Sequence, residues 1–272
     1  MVLKKSWIFD AIERCRYQTI TCALKRTPAL ANEIWIEKQG RNDEEIRHPA
    51  FFHALFERDS KLIDAFLSVP ALDKNLKGYN QKNAVSYMAY DDADLPIVQK
   101  LVEHGFAFDE PGFCGRTPAM TCLLNTCGYK TFDYLVSCGA DLTAVDWDGN
   151  TLLHLAAMQS DDRYIRRLEK EIEACVFGDK KVLYGMKNKA GRTAAHEALV
   201  AGNYDMAYRL AQKTPNFQYV DEQNHCLVGD DIQARSAFHE IASRCRDIQK
   251  PETIAVHRSV SFDWKSNTRE IA

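Results

Sequence analysis

Nine cysteines and eight histidines are spread through a chain of 272 residues. A thiolate beside an imidazole can attack a carbonyl or hold a soft metal, so these residues come first. Cys114, Cys122, Cys127 and Cys138 fall close together in sequence. Zinc would need short ligand pairs, and no two cysteines read Cys-x-x-Cys. Cys122 and Cys127 are five apart, which puts them on different faces of one helix. The predicted metal set is therefore empty. As a nucleophile the exposed candidate is Cys114, at a predicted turn beside Phe113 and Arg116, whose cation would lower a thiol pKa. The plainer reading is an ordinary surface cysteine, and the predicted catalytic set is also empty.

Other catalytic signatures are missing from the sequence. There is no Gly-x-Ser-x-Gly, phosphate loop, His-Glu-x-x-His or dinucleotide fingerprint, and no cofactor is expected. The acidic groups Asp91-Asp92-Ala93-Asp94 and Asp161-Asp162 sit at breaks between helical patterns, where solvated loop and helix-capping roles explain them. With 46% hydrophobic and 27% charged residues the composition is that of a globular chain. The net charge of -3 offers no field for nucleic acid or anionic membrane. No apolar run approaches the roughly 20 residues of a membrane helix, and Asp10 and Glu13 interrupt any secretory leader. Irregular, odd-numbered cysteines point to a reducing, cytoplasmic setting.

The elements that position these residues recur along the chain. Gly115-Arg116-Thr117-Pro118-Ala119-Met120-Thr121-Cys122, Gly149-Asn150-Thr151-Leu152-Leu153-His154-Leu155-Ala156 and Gly191-Arg192-Thr193-Ala194-Ala195-His196-Glu197-Ala198 align through Gly-x-Thr. Weaker copies run from Asp43 to Pro49, Gly78 to Ala84 and Asp221 to Leu227. Counted at the Thr-like positions His48, Asn83, Thr117, Thr151, Thr193 and Cys226, the spacings are 35, 34, 34, 42 and 33. Thr117, Thr151 and Thr193 suit helix N-caps, Pro118 a first helical turn, and Gly115, Gly149 and Gly191 the tight turn before it. Ile97, Val98, Leu101 and Val102 form an apolar stripe at helical spacing, ended by His104-Gly105 as Cys138-Gly139 ends the next.

A period near 33 with Thr-Pro-Leu-His-x-Ala character resembles the ankyrin repeat. The resemblance implies an all-α repeat: a solenoid of about six helix-turn-helix units over 43–228. Residues 1–42 would be a divergent N-terminal capping repeat and connection, with helical faces at Trp7, Ile8, Ala11, Ile12 and at Ile20, Ala23, Leu24. A capping helix is predicted at 229–246 and a polar tail at 247–272. Two departures stand out. The fourth unit is longer, with Ile165, Leu168, Ile172 and Cys175 extending its second helix and an enlarged loop expected from Gly178-Asp179 on. The motif histidine survives only at His154 and His196, where the resemblance implies hydrogen bonds between neighbouring turns.

The resemblance further implies a monomeric module that binds another protein, through turn tips and the concave face. The tips are assigned to Glu44, Glu45 and Arg47; Tyr79, Asn80 and Lys82; Phe113, Cys114 and Arg116; Trp147, Asp148 and Asn150; Lys189, Ala190 and Arg192; Glu222, Gln223 and His225. Tyr79, Phe113 and Trp147 would form an aromatic strip with Lys82, Arg116 and Asp148 as its rim, because aromatics and arginine dominate interface hot spots. Those rings could instead fold onto neighbouring hairpins. A different function class also stays open: a secreted bacterial effector working in a host cytosol, with a divergent ankyrin scaffold and its own Cys/His chemistry.

Overall fold

The computed structural model describes residues 7–39, 44–125, 128–174, 180–215 and 217. The predicted capping helix at 229–246, the tail at 247–272, Cys127 and the tip at Glu222, Gln223 and His225 lie outside them. The described chain is mostly helical.

Two short helices open it, α1 (Trp7–Glu13) and α2 (Tyr17–Arg26), and bury the expected face through Ile8, Ile12, Ile20 and Leu24. The following segment corrects the sequence reading. The expected connection is an antiparallel hairpin of β1 (Ile34–Gln39) and β2 (Glu44–Pro49), with Trp35 opposite His48. Ile34-Trp35-Ile36 is a β-branched and aromatic run that suits a pleated, half-buried surface. The Trp35 ring stacks on His48 at 5.1 Å and lies 6.2 Å from Phe9 of α1, which docks the hairpin on the first helix. Glu44, Glu45 and Arg47 therefore belong to a strand and not to a turn tip.

The next helices pair by sequence: α3 (Ala50–Phe56) with α4 (Ser60–Leu67), α5 (Ala84–Met88) with α6 (Leu95–Glu103), and α7 (Pro118–Leu124) with α8 (Tyr129–Ser137). Then come α9 (Leu152–Ala157) with α10 (Asp162–Ala174), α11 (Lys180–Gly185), and α12 (Ala194–Val200) with α13 (Tyr204–Ala211). The first helices contact in succession, α1 on α3, α3 on α5, α5 on α7, α7 on α9 and α9 on α12. Among the second helices, α2 meets α4, α6 meets α8, and α8 meets α10. The core lies between these helices, with Phe51, Leu55, Phe66, Leu101, Phe132, Leu135, Tyr164 and Leu168 buried.

Among the described residues the N-caps follow the predicted positions with one shift, and the position at Cys226 lies outside them. Asn83 and Thr117 accept from the N–H groups of Ser86 and Met120. The N-cap of α3 is Pro49 and not His48, which restores a spacing of 34 to Asn83. Pro49 has no side-chain acceptor, so the sequence shows no cap there. The long fourth unit has a 13-residue α10 and, where an enlarged loop was expected, the extra helix α11; Cys175 lies outside the described residues. Among the described residues, no helix is long and apolar enough to cross a membrane.

Candidate functional site

The pairs that begin with α5, α7, α9 and α12 are each preceded by a tight turn closed by one backbone bond. The N–H of Gly78 donates to the Lys82 carbonyl, Gly112 to Arg116, Asp146 to Asn150 and Asn188 to Arg192, each within 2.9–3.0 Å. Positive φ at Gln81, Gly115, Gly149 and Gly191 bends every turn at the same place. Neighbouring turns are also joined through their main chains. Trp147 N–H donates to the Cys114 carbonyl, and Lys189 N–H to the Asp148 carbonyl, both at 2.9 Å.

Behind the turns, His154 links two units. Its Nδ1 accepts from the Thr151 N–H at 3.2 Å and lies 2.7 Å from the Thr151 hydroxyl. That leaves the proton on Nε2, which donates to the Arg192 carbonyl at 2.9 Å. Burial pushes the His154 pKa below its usual value. His196 Nδ1 likewise accepts from the Thr193 N–H at 3.1 Å.

The turns bring some of the expected residues together. Trp147 is 64% exposed and Phe113 46%, and their ring centroids are 6.4 Å apart. The Trp147 ring also covers Gly115, where an added Cβ would come within 2.7 Å of its Cδ1. Asp148 and Lys189 are exposed beside it. Lys82 and Arg116 are half-buried below the first two turns. The Tyr79 side chain lies outside the described residues. Asn150 turns inward: it is 8% exposed, and its Oδ1 accepts from Asn188 Nδ2 at 2.8 Å. Arg192 also faces inward, with Nη1 3.9 Å from Glu197. Neither contributes to the aromatic pair.

A cleft of about 280 Å³ adjoins Phe113, between the turns and the helices α5 and α7. Its walls hold Asn80, Lys82, Ser86, Tyr90, Arg116, Thr121, Leu124 and Asn125. The sequence reading named Phe113, Lys82 and Arg116 as binding residues here and Asn80 as part of a turn tip. Tyr90 and Leu124 are 34 apart, so the period that located the turns also marks them as equivalent wall positions. Lys82 Nζ sits 4.4 Å from the Tyr90 ring centroid and hydrogen-bonds the Tyr90 hydroxyl. Burial lowers the Lys82 pKa.

Among the described cysteines, Cys15 and Cys22 are exposed, Cys114 and Cys138 are partly so, and Cys122 is buried. Cys122 is buried and desolvation pushes its thiol pKa up, so it stays protonated at neutral pH. Cys114 is partly exposed, in a left-handed backbone conformation with φ of 58°. Among the described residues, no group of three or more His, Cys, Asp or Glu is placed to hold a metal ion. No protein-family model matches this chain, nor does any curated protein.

Proposed function

We infer that this chain is a divergent ankyrin-repeat solenoid that binds another protein through its turn tips and the adjoining first helices. The observation that carries the reading is the exposed Phe113–Trp147 pair, presented on adjacent turns whose main chains are bonded to each other. Large apolar rings on a surface cost free energy unless a partner covers them, and an exposed aromatic pair marks an interaction site. Further support comes from the equal spacing of Pro49, Asn83, Thr117 and Thr151, the serial contacts of the first helices, and the His154 bridge to the next turn. Open, curved stacks of this kind offer a groove that suits a protein segment.

The test is affinity capture from cell lysate with wild type against Trp147→Ala. The partner should bind more weakly by about 2 kcal/mol or more, as for a hot-spot aromatic, while the melting temperature stays close to wild type. Undiminished capture by Trp147→Ala would remove the aromatic pair from the binding surface.

A further inference from the structure

The cleft beside Phe113 carries two positive charges and no described acidic neighbour in its walls. Elsewhere several described cations meet carboxylates, as Arg58 meets Asp94 and Lys100 meets Asp64. Arg116 forms no ion pair among the described residues, and its Nε is enclosed without an acceptor. Lys82 rests against Tyr90, a neutral partner that offers one hydroxyl and a ring face. On the cleft wall, Ser86 is 1% exposed and its hydroxyl also lacks a hydrogen-bond partner.

Buried or half-buried donors without acceptors are costly, and native structures retain few of them without a reason. Here two fall on one cleft, an enclosed guanidinium N–H and a hydroxyl, beside an ammonium whose described acceptor is the neutral Tyr90 hydroxyl. All can donate to an oxyanion. Charge-assisted bonds of this kind are stronger than neutral ones, and an arginine fork fits the two oxygens of a carboxylate or phosphate. Burial lowers the Lys82 pKa by desolvating its charge, and an anion seated in the cleft would offset that.

Phe113 belongs both to the cleft wall and to the exposed pair with Trp147. A ligand in the cleft therefore continues onto an apolar ledge. We propose that the cleft between the first two turns binds the oxyanion side chain of an acidic peptide segment, whose neighbouring apolar residue lies on Phe113 and Trp147. This rests on the protein-binding reading above and names the chemistry of the partner.

The probes are three immobilised peptide pools, with glutamate, phosphoserine or glutamine fixed at the centre and randomised flanking positions. The full chain should bind the glutamate or phosphoserine pool at least ten-fold more tightly than the glutamine pool. Preference between the first two identifies the anion as carboxylate or phosphate. Arg116→Gln and Lys82→Met should each remove most of that preference, with Arg163→Gln, remote from the cleft, as the unaffected control. Ser86→Ala provides a variant that a purely structural role would not explain: it should melt at the same or a higher temperature yet bind the acidic pool more weakly. Equal binding of acidic and glutamine pools, or an unchanged preference in folded Arg116→Gln, overturns the proposal. So does stronger binding of a single-stranded oligonucleotide than of either acidic pool. Failure here with partner loss in Trp147→Ala would leave the protein-binding reading standing. Acidic peptide binding without any effect of Trp147→Ala would instead remove the aromatic ledge.

Discussion

His154 Nε2 lies 2.9 Å from the carbonyl oxygen of Arg192, a residue of the following turn. The same imidazole receives the Thr151 N–H on its other nitrogen. One side chain thus fixes the start of its own helix and ties down the next turn. His154→Ala should cost on the order of 1–3 kcal/mol, because it leaves buried backbone groups without partners. Urea unfolding of the variant should show a lower midpoint with a similar slope. An unchanged midpoint would mean the bridge contributes nothing.

The same residue should make stability depend on pH. Burial holds the His154 pKa below the ordinary 6.5, so the unfolded chain binds a proton more readily than the folded one. Its contribution is complete above about pH 6.5 and is lost as the pH falls from there through the lower folded value. Thermal midpoints recorded between pH 7.5 and 5 should decline for wild type, and less steeply for His154→Asn. Parallel declines in the two proteins would assign the acid sensitivity elsewhere.

Gly115 and Gly139 separate backbone strain from crowding. Both have positive φ, 72° and 93°. An added Cβ at Gly139 meets nothing within 4 Å, whereas at Gly115 it lies 2.7 Å from Trp147 Cδ1 and 3.1 Å from Trp147 N. Gly139→Ala should therefore carry only the left-handed penalty of about 1–2 kcal/mol. Gly115→Ala should cost more and should shift the tryptophan emission, since the ring must move. Equal losses at both sites would show that Trp147 does not rest on Gly115.

Arg58 grips Asp94 with two bonds, Nε to Oδ1 at 2.6 Å and Nη2 to Oδ2 at 2.8 Å. Asp94 is 2% exposed, but the guanidinium is largely in solvent, which screens the pair. Arg58→Ala should cost about 1 kcal/mol, less than a fully buried pair would. Arg58→Lys should not restore it, because an ammonium lacks the planar fork. Adding Asp94→Asn to Arg58→Ala should recover part of the loss in a calorimetric scan. Full recovery by lysine would reduce the interaction to a simple charge attraction.

Sequence legibility follows the residues that have a single conformational job. Gly115, Gly149 and Gly191 all adopt the positive φ that a turn before a helix requires, and Thr117 and Thr151 cap as their position predicts. Pro49 caps by its own extended backbone with no side-chain acceptor, so its helix start was read one residue early. The hairpin escaped because Ile34-Trp35-Ile36 is too short a run to separate a strand from a connection. Register alone placed Asn150 among the binding residues, yet it cannot report which way a side chain points. Here Asp146 and Asn188 draw Asn150 inward. The cleft was only half legible: its cations lie on the turns, whereas Tyr90 comes from the turn after α5, and Ser86 and Thr121 reach it from helices whose inner faces the sequence marks only as apolar or small.

The bonds between neighbouring turns run from Trp147 N to Cys114 O and from Lys189 N to Asp148 O, main chain to main chain. Every amino acid except proline brings an identical N–H and carbonyl to such a bond. The architecture therefore places almost no demand on which side chain stands at 147, 148 or 189. Those positions act as a removable typeface on a fixed press: a lineage, or an experimenter, can change what the edge reads without rebuilding what holds it, proline excepted, since the N–H groups at 147, 148 and 189 all donate.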